Sequence, residues 1–268
     1  MIYAKAVCAK SNAGVFSPPV RAYSWTMAGK TRKPRKKTKR VKRPFRPLRW
    51  LAVWALRLAV FGWGLVMIWI GVYAVLDPPG TIYIGQETRR LGTVDRKWVD
   101  LENVAPVMAR SVVAAEDANF CNHWGFDMAA IRAAIEDGAT RGASTISQQV
   151  VKNTFLWHGR SWGRKALETL MTPMVELVWS KRRIIEVYLN VAEFDEGVFG
   201  VEAAARHYFG VGSAQLSPVQ AARLAAILPS PKARSASQPA EFVRRRAAGI
   251  RDGAETIRLD GRAACFED

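Results

Sequence analysis

The longest apolar run, Leu58 to Leu76, holds 19 residues without a charge. As a helix it would span about 28 Å, close to the hydrocarbon thickness of a bilayer. Beyond it, apolar residues recur at three and four positions rather than alternating, which predicts a mainly α protein. Pro106 suits a first helical position, and the apolar pattern continues to Ala115. Asp127 reads as an N-cap before a stripe of Ile131, Ala134 and Ile135, and Gly138 as the stop. Ser144 is placed to cap a helix carrying Gln148, Gln149, Lys152 and Asn153. Ser180 is placed to cap Lys181 to Leu189. Ser217, Pro218 and Gln220 form a capping-box start for a helix that stops before Pro229. Thr81-Ile82-Tyr83-Ile84 is the best strand candidate. Residues 240–259 predict a loosely attached helix.

Charge sharpens this organisation. The chain has 268 residues and a formal charge of +17. Residues 1–76 hold 16 Lys or Arg and no acid, whereas residues 77–268 hold 24 basic and 23 acidic residues. The excess belongs to an N-terminal arm, densest from Lys30 to Arg49, directly before the apolar run. A nucleic-acid reader carries its charge on the folded reading surface, so this placement points to a membrane and not to nucleic acid. Trp50, Trp54, Trp63, Trp69 and Tyr73 suit headgroup depth, and Arg57 can extend its stem to the interface. The basic arm is expected in the cytoplasm and the body across the membrane. The run is long for a cleaved signal peptide and lacks a small-residue cleavage pattern, which favours an uncleaved anchor. Met27 opens a more typical short basic start than Met1, so translation from Met27 is an expectation. The segments are a basic tail (1–49), an anchor (50–76), a folded domain (77–231) and a C-terminal tail (232–268).

Cys8 falls on the basic side, while Cys121 and Cys265 share the far compartment, where pairing stays open. No Cys and His spacing suggests a metal site.

The candidate chemistry lies between Glu116 and Glu168. Glu116 closes the predicted Pro106 helix after an apolar approach. A helix C-terminus and burial both disfavour the charged carboxylate, which raises its pKa toward that of a general base. Taken alone, such a Glu is more often an ordinary exposed helix end. Asp117 and His123 follow, and holding the loop is the simpler role for His123. Gly142 to Gln149 puts small and hydroxyl residues, Ser144 and Thr145 among them, at a helix start, where amides favour anions. Lys152 and Asn153 lie four residues after Gln148 and Gln149, so they share a face with them. Arg164, Lys165 and Glu168 fall on one helix. They fit either a surface ion pair or a grip on pyrophosphate, by an Arg fork and a Lys point charge.

Together these segments resemble the peptidoglycan glycosyltransferase family, known by the motifs EDxxFxxHxG, GxSTIxQQ and RKxxE. They stand here at Glu116–Gly125, Gly142–Gln149 and Arg164–Glu168. Arg183 to Asn190 resembles the family's ILxxYLN motif, and Gly200 to Gly210 its last motif. The resemblance covers roughly residues 82–231. The stretches Phe155 to Trp162 and Ala192 to Phe194 are similar to monofunctional Gram-negative members, and no SxxK transpeptidase module is expected.

The resemblance implies a lysozyme-like, mainly helical domain behind a single transmembrane helix in the bacterial inner membrane. It implies lipid II and the growing glycan strand as substrates, with Glu116 as base and Glu168 supporting the donor site. Lys152, Arg164 and Lys165 would offset the charge of the departing undecaprenyl pyrophosphate. Asp117, Ser144, Thr145, Gln148, Gln149 and Asn153 would complete the substrate site. No cofactor is implied as required, a divalent cation (Mg or Mn) would be stimulatory, and other cell-wall synthases or division proteins are candidate partners. Phe155 to Trp162 reads as a mobile jaw touching the bilayer, while Met171, Met174, Val175 and Val178 read as core. The interval from Gly125 to Gly142 is short for the family, and Pro173 is expected to kink its helix or begin a new one. Two rival readings are a lysozyme-like lytic enzyme, against which the three cations argue because a hydrolase holds no pyrophosphate, and a non-catalytic membrane scaffold.

Overall fold

The computed structural model describes residues 29, 47–138, 142–159 and 161–267. The basic tail, Cys8 and the candidate start at Met27 lie outside the described residues. Ten α-helices and one three-stranded sheet of short strands are present among those described, as the mainly helical pattern predicts.

Helix α1 (Pro47–Tyr73) takes in the apolar run from Leu58 to Tyr73 and ends three residues before Leu76. Its most apolar window has a mean hydropathy of 2.0 and none of it is buried by protein, so it is long and apolar enough to cross a membrane. Only its last turns touch the body. Ile70 is buried, and the Trp179 indole N–H donates to the Ile70 carbonyl at 2.8 Å. Arg183 donates to the carbonyls of Tyr73 at 3.1 Å and Leu76 at 2.9 Å. The bond to Tyr73 satisfies a carbonyl that the helix end leaves without a backbone partner.

Helix α2 (Ile82–Leu91) replaces the expected strand. The Thr81 hydroxyl accepts from the Ile84 amide at 3.1 Å, so the β-branched residue acts as a cap. The buried positions Tyr83, Ile84 and Glu87 follow a helical rather than an alternating period. The strands are β1 (Asp95–Arg96), β2 (Glu193–Asp195) and β3 (Val198–Phe199), in the order β1-β3-β2. β1 runs parallel to β3, with Asp95 opposite Val198, and β2 runs antiparallel to β3.

Helix α3 (Pro106–Glu116) leads into the first motif, and α4 (Met128–Glu136) is capped by Asp127 as predicted. Helices α5 (Ile146–Phe155), α6 (Trp162–Val178) and α7 (Lys181–Val191) form the centre of the body. In α7, Ile184, Ile185 and every residue from Val187 to Val191 are buried. Pro173 does not begin a new helix, and α6 runs through it. Proline leaves the Thr169 carbonyl without its helical donor, but Thr169 is exposed and water can serve it. Met171 and Val175 are core as expected, Met174 is half-buried, and Val178 is exposed.

Helices α8 (Val201–Phe209), α9 (Pro218–Ile227) and α10 (Glu241–Leu259) complete the body. The loose attachment expected of residues 240–259 is corrected here. Val243, Ala247, Ile250, Ala254 and Ile257, spaced by four and three, are buried, and α10 packs on α3 and α9. At Gly253 an added Cβ would stand 3.3 Å from the Ala114 Cβ, so small residues let α10 approach α3 closely. A Cys121–Cys265 disulfide and an Arg110–Glu267 ion pair at 2.7 Å fasten the residues beyond α10.

Candidate active site

Glu116 is the last residue of α3, and the chain turns away at Asp117. Three interactions fix that turn. Phe120 is fully buried. Asp117 Oδ1 lies 2.8 Å from His123 Nε2, and Asp117 Oδ2 accepts the Ile146 amide at 3.0 Å. His123 thus holds the loop, as its simpler reading had it. Asp117 was expected in the substrate site, but both its oxygens are committed within the protein. It ties the first motif to the N-terminus of α5, where a carboxylate is favoured.

The cap of α5 also differs from expectation. Thr145, not Ser144, is the N-cap, and Ser144 is exposed one residue earlier. The Thr145 hydroxyl accepts the Gln148 amide at 3.3 Å, and the Gln148 side chain accepts the Thr145 amide at 3.1 Å. The same hydroxyl donates to the Gly125 carbonyl at 2.7 Å. Thr145 and Gln148 are therefore spent on each other and on the loop. Gly125, at φ +86°, lies so close to α6 that a Cβ would meet Thr172 Cγ2 at 2.6 Å, so only glycine fits there.

One turn on, α5 turns its face to the cleft. Gln149 Nε2 donates to Glu116 Oε2 at 2.8 Å. Tyr188 on α7 donates to Gln149 Oε1 at 3.3 Å, which orients that amide. Gln149, Lys152 and Asn153 line a cavity of about 420 Å³ with Tyr83, Tyr188, Glu193 and Lys232. The sequence motifs do not flag Tyr188 as an orienting group. Its position in the stretch resembling ILxxYLN, which places it on a buried helix, was the available signal.

The electrostatics of the cleft follow from burial. Removal from water pushes the Glu116 carboxyl above its ordinary value, partly opposed by the Gln149 bond and the charges of Arg246 and Lys152. Burial likewise pulls Lys152 below the usual lysine value, while the Glu168 charge works against that. Lys152 thus feels both Glu116 and Glu168. It connects two otherwise separate carboxylates.

Glu168 is made differently. Ser161 caps α6 by accepting the Arg164 amide at 3.2 Å. Arg164 Nη1 lies 2.7 Å from Glu168 Oε2, and Lys165 Nζ pairs with Glu168 Oε1. Glu168 is 3% exposed, whereas the Lys165 side chain is 41% exposed. The pair expected either on a surface or on a phosphate is therefore a buried acid gathering two cations, one of them reachable from solvent. Lys152 senses both Arg164 and Lys165 as well.

The jaw divides. Phe155 and Leu156 are core, and Phe155 packs edge-on against Trp69 of α1 with ring centroids 5.1 Å apart. Trp157 and Trp162 are exposed, Trp162 at 92%. Among the described residues, no group of three or more His, Cys, Asp or Glu is placed to hold a metal ion.

A family model described as Transglycosylase matches residues 84–254. The chain belongs to the transglycosylase family. The match extends past the 82–231 span of the sequence motifs and takes in most of α10. The transglycosylase is 63% identical over 214 residues to the biosynthetic peptidoglycan transglycosylase of Jannaschia sp. (strain CCS1), covering 80% of this chain and 89% of that one. It is 49% identical over 190 residues to a protein of the same name from Pseudomonas putida, covering 67% and 80% of the two chains. A Xanthomonas campestris protein, again of that name, is 46% identical over 194 residues, covering 68% and 79%.

Proposed function

We propose that this transglycosylase polymerises lipid II into glycan strands for cell-wall biosynthesis, as a monofunctional enzyme anchored once in the inner membrane. The basic arm would be cytoplasmic and the catalytic body periplasmic. The observation that carries the reading is the pairing of unlike carboxylates through one lysine. Glu116 is desolvated and held by an amide, Glu168 gathers Arg164 and Lys165, and Lys152 feels both.

Glu116 takes the proton of the GlcNAc 4-hydroxyl of the acceptor lipid II. That oxygen attacks C1 of the MurNAc at the reducing end of the growing chain, from the face opposite the phosphate. The C1–O bond to phosphate breaks, its electron pair leaves with undecaprenyl pyrophosphate, and the configuration inverts. Lys152, Arg164 and Lys165 offset the charge of that leaving group, so no strong acid is needed to protonate it. Glu168 keeps the two α6 cations in place, and exposed Trp157 and Trp162 meet the lipid side.

Purified full-length protein in detergent, given labelled lipid II, is expected to form polymer, with Mg or Mn stimulating. Glu116→Gln is expected to form none while keeping its melting temperature. Absence of polymer from folded wild type, with muropeptides released from sacculi instead, would replace this reading by a lytic one.

A further inference from the structure

The Glu116 carboxylate has two oxygens, and the motifs account for only one of them. Oε2 takes the Gln149 amide. Oε1 faces Arg246, whose Nη2 lies 3.8 Å away. Arg246 stands on α10, outside the sequence motifs, and 130 residues along the chain from Glu116. The same Nη2 donates to the Ala115 carbonyl at 3.4 Å, at the open end of α3. A guanidinium there opposes the partial negative charge that the last turn of α3 presents to Glu116.

The placement of Arg246 is built in. α10 packs along α3 through the Gly253–Ala114 approach, and the disulfide ties Cys265 to Cys121, five residues after Glu116. Arg262, between α10 and that disulfide, donates to the Ala118 carbonyl at 3.0 Å. The C-terminal segment therefore grips the Glu116 loop at Ala115, Ala118 and Cys121.

We propose that Arg246 is a positioning residue for Glu116, held at its distance by the α10 clasp and acting on the carboxylate to keep it charged and aimed at the acceptor hydroxyl. The proposal rests on Glu116 being the base. The charged and titratable groups facing Glu116 are Arg246 from α10, Lys152 from α5, Tyr188 from α7 and the adjacent Asp117. Arg246 and Lys152 favour the carboxylate, whereas Asp117 disfavours it. Losing Arg246 must then require a higher pH to ionise Glu116.

The test is the pH dependence of kcat/KM for lipid II polymerisation by full-length wild type, Arg246→Gln, Arg246→Lys and Glu116→Gln. Arg246→Gln is expected to move the acid limb to higher pH, with about a tenfold loss on that limb and a smaller one above it. Arg246→Lys, which keeps the charge, is expected to return the limb toward wild type. A limb unmoved in Arg246→Gln, a loss equal at all pH values, or a rise in KM alone would overturn the proposal. If Arg246→Gln does not fold, Arg246→Lys decides: a limb at the wild-type position supports the proposal, and one displaced upward overturns it. Polymer from Glu116→Gln would instead overturn the assignment of the base, so the two failures are distinguishable.

Discussion

Glu116 and Glu168 are the same residue type and both act on Lys152, and the protein makes their surroundings in opposite ways. Glu168 finds its partners on its own helix, at Arg164 and Lys165, four and three residues before it. Glu116 finds its partners across the fold, from Gln149 on α5 and Arg246 on α10. A buried acid with two cations is an organiser of positive charge. A buried acid with one amide and a guanidinium at 3.8 Å keeps a proton affinity raised by burial. Local spacing suffices for the first role, whereas the second needs tertiary structure to remove water without supplying a close ion pair.

The contrast breaks most sharply by substitution. Glu116→Gln keeps shape and removes the proposed base, and is expected to abolish measurable turnover, a loss of at least about a thousandfold, with melting unchanged. Glu168→Ala is expected to act through structure, costing about 3 kcal/mol in chemical unfolding because Arg164 loses its buried counter-charge. If the two variants show the same profile, the division of roles is wrong. Cys121→Ser with Cys265→Ser opens the clasp on the Glu116 side only. It is expected to cost about 2 kcal/mol of stability, seen as a lower melting temperature that reductant no longer changes. Its acid limb should move while the Lys165→Ala phenotype, weaker substrate binding, stays additive with it. Thr145→Ala removes a cap and the bond to Gly125, and is expected to cost about 1 kcal/mol.

The same contrast explains what could be read from the residues. The Arg164, Lys165 and Glu168 cluster is legible because it is an i, i+3, i+4 pattern on one helix. The Asp127, Ser180 and Ser217 caps are legible for the same local reason, and so is α1, whose apolar run needs no partner. The Thr81 to Ile84 stretch misleads because its β-branched and aromatic residues outweigh one capping hydroxyl. At α5, Ser144 and Thr145 are both good caps, and what selects Thr145 is its bond to Gly125, 20 residues away. The stripe of α10 was present in the sequence, but nothing local says that it docks on α3 or brings Arg246 to Glu116. The open pairing of Cys121 and Cys265 is resolved by that docking, across 144 residues. The strands are two or three residues long and carry too little pattern to be read.

The cleft also carries a pH signature. In the proposed mechanism Glu116 works only as a carboxylate, so activity is expected to fall as pH drops through its raised value. In the same mechanism Lys152 works only as a cation, so activity is expected to fall as pH rises through its lowered value. The rate is expected to be bell-shaped, with both limbs drawn inward from ordinary Glu and Lys values.

The most direct test of the central claim is the single-turnover rate of labelled lipid II consumption by wild type and Glu116→Gln across that pH range. The account predicts an acid limb above the ordinary carboxylate value in wild type and no measurable turnover in Glu116→Gln. A wild-type limb at the value of an exposed Glu, or turnover in Glu116→Gln with the same limb, would contradict it.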